Sequence, residues 1–250
     1  MAAVVTLNRL QGLLRERGLA HSLPWRGESA PSPPAASTGV AALDALFDGG
    51  LARGRIHEIS GALSSGCTAA ALAMAAASTQ RGEATAYIDA TDNFHPPTAR
   101  QAGVDLNRLL LVRCQWPREA WDAVNLIVGA GGFGLIVLDL MGTRSRRFLQ
   151  EWQMRPWLKL QRGIENTRSI LLVAATCKGI AAHAAAARVE FRRKEARWNG
   201  RPGVSLVLGG MQVEATLAYQ RHPQPAKRAL RREQSCTLKL EATGELEAAG

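Results

Sequence analysis

Residues 55–68 read Arg55-Ile56-His57-Glu58-Ile59-Ser60-Gly61-Ala62-Leu63-Ser64-Ser65-Gly66-Cys67-Thr68. Arg55 to Ser60 has the apolar character of a short buried strand, Gly61 to Gly66 is a turn with a glycine at each end, and the alanine-rich run Cys67 to Gln80 reads as a helix. A glycine turn between strand and helix lets backbone N–H groups converge at the helix N-terminus, where the dipole favours an anion. Gly61, Gly66 and Thr68 fill three of the four fixed positions of a phosphate-binding loop, with Ser64 and Ser65 inside it and the Thr68 hydroxyl placed to hold Mg²⁺. The fourth position calls for lysine and is Cys67. A neutral thiol sets no cation against the β- and γ-phosphates, so ATP/Mg binding is weakened, hydrolysis is doubtful, and a turn that serves packing alone is the competing reading. Supplying the charge with Cys67→Lys is expected to restore some nucleotide affinity.

Outward from this stretch the apolar period keeps switching. Thr85 to Asp89, Leu109 to Arg113, Leu135 to Asp139 and Ile170 to Ala174 are strand-like, and the segments about Pro97 to Ala102, Arg118 to Val128 and Glu151 to Gln161 are helix-like. Such alternation predicts an α/β fold, a mostly parallel twisted sheet flanked by helices. Ala187 to Arg193, Val204 to Leu208 and Met211 to Gln220 are β-like and separated by Asn199-Gly200, Pro202-Gly203 and Gly209-Gly210, which predicts an antiparallel C-terminal extension. The run Ile136-Val137-Leu138-Asp139 places an acid at a strand end, where Asp139 would complete a Mg²⁺ shell. Gly129 to Gly134 also satisfies G-x-G-x-x-G, but it follows a helix and precedes a strand, the reverse of a dinucleotide site.

At 250 residues and 46% apolar the chain is long enough for a sizeable core, and its longest apolar runs fall far short of a bilayer span. Cys67, Cys114, Cys177 and Cys236 lie far apart with no histidine at ligand spacing, so no metal site or disulfide framework is expected and a reduced, cytoplasmic protein is. Val4, Leu7, Leu10 and Leu14 predict a leading amphipathic helix within residues 1–20 (3–18), and the proline- and serine-rich stretch 21–36 predicts a linker, leaving the helix free to fold back or to dock elsewhere. The core is expected over residues 37–222 and a mobile tail, basic then acidic, over 223–250.

The net charge of +10 is uneven. Residues 37–140 carry 7 basic and 10 acidic side chains, whereas residues 141–232 carry 19 and 5, a balance that points one part of the surface at a polyanion. Within the second half, Arg144, Arg146, Arg147, Arg155, Lys159 and Arg162 are interleaved with Phe148, Trp152 and Trp157. This mixture suits single-stranded nucleic acid, with cations on phosphates and rings under bases, and it equally suits a protein-binding hot spot. The tryptophans at helical spacing also fit a plain core face.

Several motifs taken in order resemble the RecA-like superfamily of P-loop proteins: Ser37-Thr38-Gly39 through Leu43-Asp44, Gly49-Gly50-Leu51, Gly54-Arg55-Ile56, the loop at 61–68, Tyr87-Ile88-Asp89-Ala90, Ala99-Arg100 with Gly103-Val104-Asp105, and Ile136 to Asp139. The resemblance covers about residues 37–193 and implies a RecA-like core. Recombinases of the superfamily carry lysine where this chain has Cys67, and an acid where it has Thr91, with Asp92 displaced by one. Their long glycine-rich DNA loop is here the short Thr176-Cys177-Lys178-Gly179. A short, degenerate RecA-like chain with a leading helix is similar to the ImuA family of bacterial translesion-synthesis accessory factors. That resemblance implies a nucleoid-associated, non-catalytic role with no required cofactor, and as partners RecA, a Y-family-like ImuB protein and an error-prone polymerase. A weak ATPase or ATP-gated recombinase mediator, using Thr68 and Asp139 with Asp92 as base, is the alternative.

Overall fold

Short runs rich in valine, isoleucine and leucine pair into one ten-stranded sheet. The structure is a computed structural model that describes residues 3–5, 34–115, 117–142, 150–152, 155–181, 183–201, 205–221, 234–241 and 246–248. In chain order the elements are β1 (Ala3–Val5), α1 (Ala41–Leu46), β2 (Arg55–Gly61), α2 (Cys67–Gln80), β3 (Ala84–Asp89), α3 (Pro96–Gln101), β4 (Leu109–Arg113), α4 (Pro117–Ala130), β5 (Phe133–Leu140), α5 (Trp157–Ile164), β6 (Ile170–Ala175), β7 (Ala185–Arg201), β8 (Ser205–Gln220), β9 (Ser235–Glu241) and β10 (Leu246–Ala248). Across the sheet they follow β1-β4-β3-β5-β6-β2-β7-β8-β9-β10. Neighbours are parallel from β1 to β7 and antiparallel from β7 to β10.

Helices cover both faces, which is why the central strands are apolar on both sides. On one face α1, α2 and α3 bring Leu43, Met74 and Ala99 against a layer that includes Ile59, Tyr87 and Val137. On the other, Ile127 of α4 and Leu160 and Ile164 of α5 close over Ile56, Ile136 and Leu138. The alanines of α2 bring its backbone close to the sheet. Asp44 ties the chain entry to α1, accepting from the Ser37 hydroxyl at 2.6 Å, the Thr38 N–H at 2.7 Å and the Thr38 hydroxyl at 2.7 Å. At the other side, buried Glu58 on β2 accepts the N–H groups of Gly179 (2.5 Å) and Ala181 (2.9 Å) and pairs with Arg188 of β7 at 3.2 Å. One carboxylate thereby joins three segments of the sheet.

The α/β architecture and the antiparallel extension are as the sequence predicts; four local expectations change. Ala3–Val5 form a strand, parallel to β4, where a helix was expected over 3–18; the two valines are β-branched and satisfy the open edge of β4. The rest of that span and the linker up to residue 33 lie outside the described residues. The helix expected over Glu151 to Gln161 is interrupted: residues 150–152 are helical, but α5 starts only after Pro156, which has no N–H to continue an earlier helix. Neither Asn199-Gly200 nor Gly209-Gly210 is a turn: the first lies within β7 opposite Val207 and Leu206, and β8 runs straight through the second with a register shift opposite Arg197–Trp198, the bulge that a glycine in a strand permits. Finally, the expected tail contains β9 and β10, because Cys236, Leu238 and Leu240 alternate with polar residues and Leu238 is fully buried against β8.

Candidate functional site

The parallel strands end at one edge of the sheet, and the loop after β2 opens there. Its backbone makes a tight turn. Ser65 N–H closes the turn on the Ala62 carbonyl at 3.1 Å, and Ser64 and Gly66 take positive φ of 60° and 96°. A Cβ at position 61 would collide with the Ser65 hydroxyl and the Phe191 carbonyl, so glycine is required at that point. Gly61, Ser64, Ser65, Gly66, Cys67 and Thr68 lie in and just after the turn that joins β2 to α2.

Apolar side chains cover one side of the loop, over Gly66 and Cys67, while Ala62, Leu63 and Ser64 are exposed. Val213 of β8 reaches Gly66 so closely that a Cβ there would meet its two methyl carbons at 3.1 and 3.2 Å. Met211 of β8, Leu240 of β9 and Met141 line what space remains over residues 64–69, a hollow of about 130 Å³. Ligand pockets typically occupy about 300–1,000 Å³. Cys67 is only 1% exposed, and its thiol accepts from the Ser65 hydroxyl at 3.4 Å. Burial pushes the thiol pKa up to about 12, with the nearby Asp139 charge adding to the effect, so the group is held as a neutral thiol near neutral pH. Thr68 alone among the first residues of α2 is exposed.

Asp139 sits at the end of β5, level with Asp89 on β3 and Ala174 on β6. Its carboxylate is committed: the Tyr87 hydroxyl donates to it at 2.5 Å and the Met141 N–H at 2.8 Å. Burial raises its pKa to about 6 despite those bonds, which lower it. Asp89 is likewise internal, accepting the N–H groups of Thr91, Asn93 and Phe94 and so shaping the turn after β3. Thr91 donates its hydroxyl to the Met141 carbonyl at 2.6 Å. Asp92, the stand-in base, is 72% exposed and paired with Arg113 at 2.7 Å. Position 67 thus supplies no cation, the hollow over Gly66 and Cys67 is apolar and small, and the Asp139 carboxylate is buried and already bonded.

The basic segment divides. Arg144, Arg146 and Arg147 lie outside the described residues. Trp152 and Trp157 are 0% and 4% exposed and are core, not stacking platforms, which corrects the nucleic-acid reading of that pair. They form a triad with Trp121 of α4, with ring centroids 5.2–5.9 Å apart, and the Trp157 Nε1–H donates to the Trp152 carbonyl at 2.8 Å. Arg155 lies half-buried with its guanidinium 5.8 Å from the Trp121 ring.

Sequence reasoning missed the exposed tryptophan. Trp198, near the tip of the β7–β8 hairpin, is 57% exposed beside Leu206, Val207 and Leu208, which are also exposed. At the root of that hairpin a cleft of about 500 Å³ opens on the loop itself, where Gly61, Ala62, Leu63 and Ser65 face the Lys178–Glu190 pair, Arg192 and Arg193. The exposed tip had a signal in sequence: the run Ser205 to Leu208 is uniformly apolar after its serine, whereas a half-buried strand would alternate. The remaining candidates are structural. His57 is buried against the Ala52 carbonyl at 3.0 Å with its pKa lowered to about 4 by burial, the four cysteines are unpaired, and among the described residues no group of three His, Cys, Asp or Glu converges.

A glycine loop between β2 and α2, an acid at the end of β5 and a parallel sheet with the order β4-β3-β5-β6-β2 define an α/β protein with a mostly parallel sheet. Comparison with known proteins narrows this: residues 27–149 match the RecA N-terminal domain family. Protein RecA of Chlorobium chlorochromatii is 41% identical over 114 residues, 45% of this chain and 32% of that protein. Protein RecA of Streptomyces venezuelae is 40% identical over 119 residues, 47% of this chain and 32% of that one. The aligned stretch thus spans about a third of the length of the curated relatives it matches. The core is RecA-like, and among the described residues no helix is long and apolar enough to cross a membrane.

Proposed function

We propose that this chain is a non-catalytic RecA-like accessory protein of bacterial DNA repair and damage-induced mutagenesis, one that acts by binding RecA and translesion polymerase partners. The observation that carries the non-catalytic part is the packing on one side of the phosphate loop: Val213 lies against Gly66, Met211 and Leu240 line the small hollow over residues 64–69, and Cys67 is buried there with no cation in its place. The similarity to RecA N-terminal domains over residues 27–149, together with the resemblance to the ImuA family, supports the repair setting. A RecA-like surface without nucleotide-driven change suits a scaffold whose affinity for partners does not cycle. The test is steady-state ATP hydrolysis with and without single-stranded DNA, alongside binding to purified RecA. The reading expects no turnover above background and saturable RecA binding that ATP analogues leave unchanged. Turnover that Asp139→Ala abolishes overturns it in favour of a weak ATPase or ATP-gated mediator.

A further inference from the structure

The β7–β8 hairpin outgrows the sheet that supports it. Pairing of β2 with β7 stops at Gly61 opposite Phe191, yet β7 continues to Arg201. On the other side β9 pairs with β8 only from Gly210 to Thr216, leaving residues 205–209 beyond it. From Arg192 onward the β2-side edge of β7 therefore has no strand beside it among the described residues. An open edge is a row of N–H and C=O groups that another main chain can pair with.

Three features at that edge define what would pair. Trp198 lies opposite Leu208, and Leu206 follows on the same face, so the exposed apolar side chains form one short stripe. Residues 192–201 carry five basic side chains and one acidic one. Lys194 is paired with Glu214 and Arg197 with Glu241, whereas Arg192 and Arg193 make no ion pair among the described residues and line the cleft of about 500 Å³ that begins where β2 ends. The Ser60 hydroxyl, buried at the wall of the same cleft, has no hydrogen-bond partner. We infer that the distal β7 edge binds an acidic, extended protein segment by strand addition, with apolar side chains on the Trp198–Leu208 stripe and a carboxylate directed into the cleft toward Arg192 and Arg193. A polynucleotide would meet the charge but leaves the strand edge unpaired, whereas a peptide main chain satisfies both. This inference rests on the hairpin and cleft alone, not on the accessory-protein reading.

The test uses the full chain and a synthetic peptide alternating glutamate with valine, titrated by calorimetry and followed by amide hydrogen exchange. The expected result is saturable binding with exchange slowed across residues 192–201. Trp198→Ala, and separately the pair Arg192→Glu with Arg193→Glu, should each weaken it about tenfold or more. Because all three side chains are exposed, melting temperatures should stay at the parent value; Leu208→Asp provides a second surface variant with the same expectation. A peptide with a central proline, which cannot pair along the edge, should not bind. No saturable binding, equal binding of a lysine–valine peptide, slowed exchange elsewhere, or displacement of the peptide by oligothymidylate would each overturn the proposal, the last by making the face a nucleic-acid site.

Discussion

Near its base the β7–β8 ribbon buries Phe191, Val213 and Ala215 against the phosphate loop and α2, whereas further out the same ribbon holds Trp198, Leu206 and Leu208 in solvent. The outer half carries more charge, but its apolar side chains are of the same type as those at the base; what differs for them is whether the sheet continues beneath. At the base β2 and β9 flank the ribbon and the helical layer covers it, and beyond Gly61 and Gly210 neither strand continues alongside. An apolar side chain in the first half is core and closes a site, and the same type in the second half is surface and offers one.

The sharpest way to break this comparison is to place one charge in each half. Val213→Asp buries an unpaired carboxylate on Gly66 and should cost about 4 kcal/mol or more, enough to unfold a marginal domain, while Leu208→Asp should stay within about 0.5 kcal/mol. Urea unfolding of the two variants measures both. Next in size, Glu58→Gln leaves Arg188, 16% exposed, without its partner where β7 joins β2. It should cost about 3 kcal/mol, with hydrogen exchange rising first in β7 and residues 179–181.

A smaller effect is one of pH. Asp139 has a folded pKa of about 6 against an ordinary 3.8, so the folded state holds its proton more tightly. The stability this contributes is complete below about pH 4 and is lost as pH rises through about 6, in total about 2–3 kcal/mol. His57 acts in the opposite sense: its pKa of about 4 lies below the ordinary 6.5, so its contribution is present above about pH 6.5 and lost as pH falls through about 4. Subtracting the two melting curves isolates Asp139, and Asp139→Asn should gain on the parent protein steadily from pH 4 to about 7. A flat difference would mean the carboxylate is not buried beneath Tyr87.

Most of the parallel core is legible in sequence because each of its strands is a continuous apolar run bounded by turns, and Leu109–Arg113 is found where it was read. Local signals mislead where a partner strand decides. Gly209-Gly210 carries every mark of a turn, yet pairing with β7 carries the strand through it as a bulge. Trp152 and Trp157 mix with arginines as a nucleic-acid platform would, and only the position of α4 shows that they meet Trp121. The loss of lysine at Cys67 is visible in one residue, but the cover over the loop comes from Val213 and Leu240, far away in sequence and in strands whose alternation is weak. Chemistry missing from a motif can be read locally; side chains packed on it from distant strands cannot.

That cover is the central claim, and it reverses the expectation drawn from the loop alone. If Cys67 were the only defect, Cys67→Lys would restore Mg-ATP binding. With Val213, Met211 and Leu240 in place, the folded Cys67→Lys variant should give no saturable heat in a calorimetric titration with Mg-ATP. Adding Val213→Ala and Met211→Ala should allow binding to begin. Saturable Mg-ATP binding by the folded Cys67→Lys variant with Val213 and Met211 unchanged would contradict the account.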